Sequence, residues 1–160
     1  MSCGTGNLAG MTIAQDIVAR LDLSPHPEGG WFKETWRADA DEGERAIATA
    51  IHFLLEAGQR SHWHKVDAAE IWLWHAGDPL QLHLADSDAG PVREVVLGPD
   101  LLAGQEVQHV VEAGAWQAAA PAPGGSAGYG LVSCVVAPAF EFSGFTLAPQ
   151  GWAPGSDARP

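Results

Sequence analysis

Hydrophobic residues recur with two different periods along this chain, and the change of period divides it. Ile13, Ile17, Val18 and Leu21 fall at helical spacing, one apolar stripe on a 3.6-residue turn. Thr12 stands at the cap position and Gln15, three residues on, completes a capping box. Ser24-Pro25-His26-Pro27 ends the helix, because proline lacks the amide donor and disfavours helix before it. Glu28-Gly29-Gly30 is then a tight turn into extended chain.

From residue 31 the period is two. Residues 31–37 alternate Trp31/Lys33/Thr35/Arg37 against Phe32/Glu34/Trp36, and residues 46–56 alternate Ile47/Thr49/Ile51/Phe53/Leu55 against Ala48/Ala50/His52/Leu54. Shorter runs follow at 62–64, 70–75, 80–84, 92–97, 107–111, 114–119 and 129–136, most of them separated by glycine, proline or aspartate. Eight or nine short strands after one helix predict an all-β sandwich or barrel. Residues 11–150 read as a single domain, since no repeat or linker divides them. Residues 1–10, small, polar and glycine-rich, read as an extension outside the fold, and 151–160 as a flexible tail.

Charge narrows the partners. Eight Lys/Arg against twenty Asp/Glu give a net charge of −12, which repels phosphate backbones and anionic lipid. Nucleic-acid and membrane-surface roles are therefore excluded. The only cysteines are Cys3 and Cys134. One lies in the extension and one in an apolar run, so no disulfide is expected and a reducing, cytoplasmic location fits. The sequence has neither a signal-like start nor an apolar run of membrane-spanning length.

The chemistry concentrates at Gly58-Gln-Arg-Ser-His62-Trp-His64-Lys-Val-Asp-Ala-Ala-Glu70, closed by Gly77. Two histidines at i and i+2 of a strand share a face, and a carboxylate beyond a short turn can return to it. Such a set can hold a divalent metal; the plain alternative is a polar strand edge. Trp72 and Trp74 share the face of Glu70, and Trp116 neighbours Gln117. These indoles either line a pocket as ligand-binding residues together with Gln117 or pack in the core. Glu34 follows the Gly29-Gly30 turn. It is either a proton shuttle beside His62 or His64, or one half of a surface ion pair.

The spacing Gly58…His62-x-His64-x5-Glu70-x6-Gly77 resembles the first motif of the cupin superfamily, and Glu112-Ala-Gly114-Ala-Trp-Gln117 resembles the second more faintly. His26-Pro-Glu-Gly-Gly30, Glu70-Ile-Trp-Leu-Trp74-His-Ala-Gly-Asp-Pro79 and Leu97-Gly-Pro-Asp-Leu101 are similar to phrases of one small, functionally obscure cupin subfamily. The resemblance implies a cupin jelly-roll barrel (a double-stranded β-helix), usually a homodimer, with its site in the barrel mouth. Carried over residue by residue, His62, His64 and Glu70 match metal-ligand and catalytic positions. Gln117 stands where cupins place their last histidine. A glutamine oxygen is a weaker donor to Mn, Fe, Ni or Zn than imidazole, so the implied divalent transition metal would be held less tightly.

The resulting expectation is a small organic ligand, a sugar or metabolite, bound in a tryptophan-lined barrel. A metal-assisted reaction and a His/Glu proton transfer of the isomerase or epimerase kind are both open, as is a non-catalytic binding or sensing module.

Overall fold

The expected helix, α1 (Ile13–Leu21), opens the computed structural model, which describes residues 11–157. Its capping box is formed: the Gln15 amide donates to the Thr12 hydroxyl at 3.2 Å and the Thr12 amide to Gln15 Oε1 at 3.3 Å. The helix stops at Asp22, which takes the left-handed conformation (φ 55°), before the prolines are reached. Among the described residues no helix is long and apolar enough to cross a membrane.

Eleven strands follow among the described residues. One sheet holds β1 (Ser24–Pro25), β2 (Trp31–Arg37), β3 (Thr49–Glu56), β10 (Tyr129–Ala137), β5 (Ala69–Gly77) and β8 (Gln108–Val111), side by side in that order. The other holds β11 (Phe145–Leu147), β4 (Ser61–Val66), β9 (Trp116–Pro121), β6 (Leu80–Ala85) and β7 (Arg93–Leu97). All named pairs are antiparallel; this is the all-β architecture that the alternation predicted, in the jelly-roll form that the cupin resemblance implied.

Alternation also builds the core. Leu80, Leu82 and Leu84 of β6 and Val132 and Cys134 of β10 point between the sheets and are essentially inaccessible, with Phe53, Leu55 and Trp72 among them. At about 25 cal/mol per Å² this apolar burial is the main drive for closing one sheet on the other. Ile47 is exposed, but Thr49, Phe53 and Leu55 are buried and Ile51 faces a cavity. Thr49, Phe53 and Leu55 of β3 are therefore covered by the chain's own residues.

The tail expected from Gly151 is anchored as far as it is described. Trp152, 6% exposed, packs on Trp116 with ring centroids 4.5 Å apart. The Gly155 amide donates to the Asp88 carbonyl at 2.7 Å, and the Ala148 amide to the Trp63 carbonyl at 2.9 Å. Residues 1–10 and 158–160 lie outside the described part of the chain.

Removing the indole in Trp152→Ala should cost about 3 kcal/mol of unfolding free energy, the usual range for emptying a buried aromatic site. Urea denaturation checks this, and a loss below about 0.5 kcal/mol would show that the segment after Leu147 does not brace the barrel.

Candidate functional site

The two motif histidines do not share a face. Strand β4 pairs with β9 through Ser61↔Ala119 and His64↔Gln117, with an irregularity between. Three steps on β4 thus span two on β9, which is a β-bulge. The extra residue breaks the alternation, so Ser61 and His64 turn inward and are buried while His62 is exposed. The His62 side chain borders an outer groove with Arg60, Trp63 and the segment around Trp152. Its backbone still serves the interior: the His62 carbonyl lies 2.8 Å from His64 Nδ1. That contact makes Nδ1 the protonated nitrogen and leaves Nε2 free to accept.

His64 Nε2 faces Glu28 Oε2 at 3.2 Å. Glu28 lies in the His26-to-Gly30 turn and is buried, 6% exposed. Both glycines have positive φ (105° and 79°), and a Cβ on Gly29 would strike the Arg60 carbonyl. Only glycine lets the turn settle this close to β4. The His62 amide then donates to the Glu28 carbonyl at 2.8 Å, and the Ser61 hydroxyl to Glu28 Oε1 at 2.9 Å. Burial pushes the Glu28 carboxyl up to about 8, with the Ser61 hydrogen bond pulling the other way. His26, 3.7 Å from the same carboxyl and edge-on to Phe32, is pushed down to about 4 by burial and by neighbouring His64. Sequence reasoning took this turn for a connector; its isolated Glu between Pro27 and Gly29 was the available signal.

A second polar branch comes from β5 and β9. The Trp72 indole donates to Gln117 Oε1 at 2.8 Å, and Gln117 Nε2 donates to Glu70 Oε2 at 2.6 Å. Tryptophan is an obligate donor, so this chain fixes which end of the amide is which. Burial raises the Glu70 carboxyl, His64 opposes this, and Glu28 adds to it. Burial also lowers His64, with Glu70 opposing. Cys134, read from sequence as part of an apolar run, hydrogen-bonds Glu70 and has its thiol pushed well up by burial.

His64, Glu70, Glu28, His26 and Cys134 open on a cavity of about 310 Å³. Its apolar walls come chiefly from Phe32, Phe53, Phe140, Phe142 and Phe145. The expected tryptophan lining is absent from this cavity. Trp72 stands behind Gln117, and the Trp74 indole donates to the Asp78 carbonyl at 3.2 Å. Trp116 points to the other side of β9 and donates to Asp88 at 2.7 Å, since adjacent strand positions face opposite ways. Glu34 does reach the rim, where both its oxygens take Arg37 at 2.9 Å. The segment bearing Phe140 and Phe142 is pinned by its backbone: Arg37 and Arg45 donate to the Phe140 and Ala139 carbonyls, and the Phe140 amide to Thr49 Oγ1.

The cupin metal set does not fit these residues. His62 has left the interior, and the Gln117 oxygen that would ligate is already taken by the Trp72 N–H. Among the described residues no three His, Cys, Asp or Glu side chains are placed to hold a metal ion.

A family model described as Cupin superfamily (DUF985) matches residues 15–148. A hypothetical protein from Leishmania major is similar in structure, with a TM-score of 0.76 and 36% identity over 89% of this chain and 90% of that one. A protein from Shewanella oneidensis gives a TM-score of 0.79 and 35% identity over 88% of this chain and 87% of that one. Oxalate decarboxylase from Bacillus subtilis gives 0.57 and 12% identity over 79% of this chain and 30% of that one, a likeness of fold alone. Comparison with curated proteins yields no match.

Trp72→Phe should destabilise the protein by about 1–3 kcal/mol, because it strands the buried Gln117 oxygen without a donor; thermal or urea unfolding measures it, and a neutral result would contradict the hydrogen bond.

The raised Glu28 carboxyl sets a pH dependence. Folding favours its protonated form, so its contribution is complete below about 4.5 and is lost as pH rises through about 8. Wild-type stability relative to Glu28→Gln should therefore fall between about pH 5 and about pH 8.5, by at least ~2 kcal/mol given ~1.4 kcal/mol per pKa unit. Urea midpoints of both proteins at the two pH values test the sign; a constant difference would refute it.

Proposed function

The chain belongs to the DUF985 family of the cupin superfamily, and from that premise we propose that it binds a small organic molecule in the barrel cavity and moves a proton on it without a metal. The observation that carries this reading is the buried contact of 3.2 Å between His64 Nε2 and Glu28 Oε2 at the cavity wall. Near neutral pH the couple holds Glu28 as an acid and His64 as a neutral base, because burial raises the one and lowers the other. This is the pairing that general acid–base chemistry needs.

In the proposed step, His64 Nε2 takes a proton from a carbon next to a ligand carbonyl while the Glu28 hydroxyl gives one to the carbonyl oxygen. The product is the enol, with an imidazolium and a carboxylate left on the protein. Proton passage from His64 to Glu28 restores the couple, so no net proton is gained or lost. The His62 carbonyl on Nδ1 holds the ring and stabilises its charged form. Phenyl walls exclude water, which strengthens each polar contact made inside.

The activity to measure is exchange of carbon-bound hydrogen with deuterated solvent, read by proton NMR across a panel of neutral carbonyl and hydroxycarbonyl compounds. Glu28→Gln and His64→Asn should each reduce the exchange of a responsive compound by about 10²-fold or more. The wild-type rate should fall as pH rises through about 8, where Glu28 loses its proton. Exchange untouched by both substitutions would sink the proton couple. Binding without any exchange would favour a non-catalytic module.

A further inference from the structure

The charged groups on the cavity wall are unevenly signed. With Glu28 held as the acid of the couple, three are carboxylates, Glu34, Glu70 and Glu141, and one is a guanidinium, Arg37. Arg37 is already matched: Nε and Nη2 donate to the two Glu34 oxygens at 2.9 Å each, and Nη2 also to the Phe140 carbonyl at 3.0 Å. Its charge is therefore spent at the rim and does not offset Glu70 deeper in. An anion entering here would lose its hydration without meeting a free counter-charge, an expensive transfer into an apolar space.

The walls favour the opposite sign. Phe140, Phe142 and Phe145 stand with ring centroids 5.0–6.1 Å apart at the mouth, Phe32 and Phe53 lie further along the cavity, and aromatic rings attract cations electrostatically. A bare metal ion lacks the convergent donors it needs, as the positions of His62 and Gln117 show. The cavity of about 310 Å³ instead has room for a hydrocarbon body. The carboxylate that cupins set against a metal is still here in Glu70, while the metal's remaining ligands have been diverted.

We infer that the molecule held in this cavity is an organic cation, its hydrocarbon or ring body against the phenyl walls and a protonated amine paired with Glu70. The inference rests on the reading of the cavity as a small-molecule site, and it leaves the Glu28–His64 couple free beside the neighbouring carbon. Burial alone favours the neutral form of Glu70, so the positive charge that favours its carboxylate and completes the site comes with the ligand.

Cyclohexylammonium, cyclohexanol and cyclohexanecarboxylate share one body and differ in head group. Each is titrated calorimetrically into the full-length protein near pH 7, and into Glu70→Gln. The ammonium should bind wild type at least about tenfold more tightly than the alcohol, and the carboxylate should not bind. Glu70→Gln should remove the ammonium's advantage and keep alcohol binding, which also reports that the variant is folded. An alcohol or carboxylate that matches the ammonium on wild type overturns the inference, as does a preference that survives Glu70→Gln. Stabilisation by Mn(II) or Zn(II) with no response to any of the three organic probes overturns it in favour of a metal. The solvent-exchange assay uses neutral carbonyl compounds, so the proton couple stands or falls separately.

Discussion

A line of polar groups threads an apolar interior, and each member is tolerable only because the next is in place. Ser61 holds Glu28, Glu28 meets His64, and His64 is held by the His62 carbonyl. On the facing strands Trp72 holds Gln117 and Gln117 holds Glu70. Buried polar atoms cost roughly 1–3 kcal/mol each when left without partners, so neither branch survives piecemeal. The requirement reaches outward into the backbone: the bulge in β4 seats Ser61 and His64 together, and the Gly29-Gly30 turn brings Glu28 against them.

Much of this was legible from local pattern. The capping box at Thr12 and Gln15 depends on residues three apart, and the longer strands announce themselves by alternation. Strands β1 and β11 were missed because two or three residues carry no period. His64, Glu70 and Gln117 could be grouped from the cupin spacing, and the structure brings them into one buried polar cluster. His62 could not be placed, because a bulge is decided by the partner strand and leaves no mark on its own sequence. Glu28 was hidden for a similar reason: its partners are Ser61, His62 and His64 of β4, more than thirty residues away. Trp116 was a readable error. It precedes Gln117 directly, so the two cannot face the same side of a strand.

The relatives sharpen what the fold does and does not carry. Proteins about one-third identical span nearly the same length, so the barrel and its strand order belong to the family. The likeness to oxalate decarboxylase at 12% identity speaks only for the barrel. Jelly rolls host unrelated chemistries, and here the positions that resemble metal ligands have been put to other uses. One histidine is turned outward with its carbonyl retained as a hydrogen-bond acceptor, and a glutamine joins an indole to a carboxylate.

The segment from Ala139 to Gly144 is held by contacts to its main chain, from Arg37, Arg45, Thr49 and Asp67, while its side chains supply part of the cavity wall. Main-chain anchoring is indifferent to side-chain identity. Substitutions at Phe142, 60% exposed, can therefore reshape the mouth while the anchors and the Glu28–His64 contact stay as they are, whereas Phe140 also packs on Val66, Ala68 and Val136. Such a division lets a lineage vary the opening of the cavity at little risk to folding, with change concentrated at the exposed end of the segment above an unchanging floor.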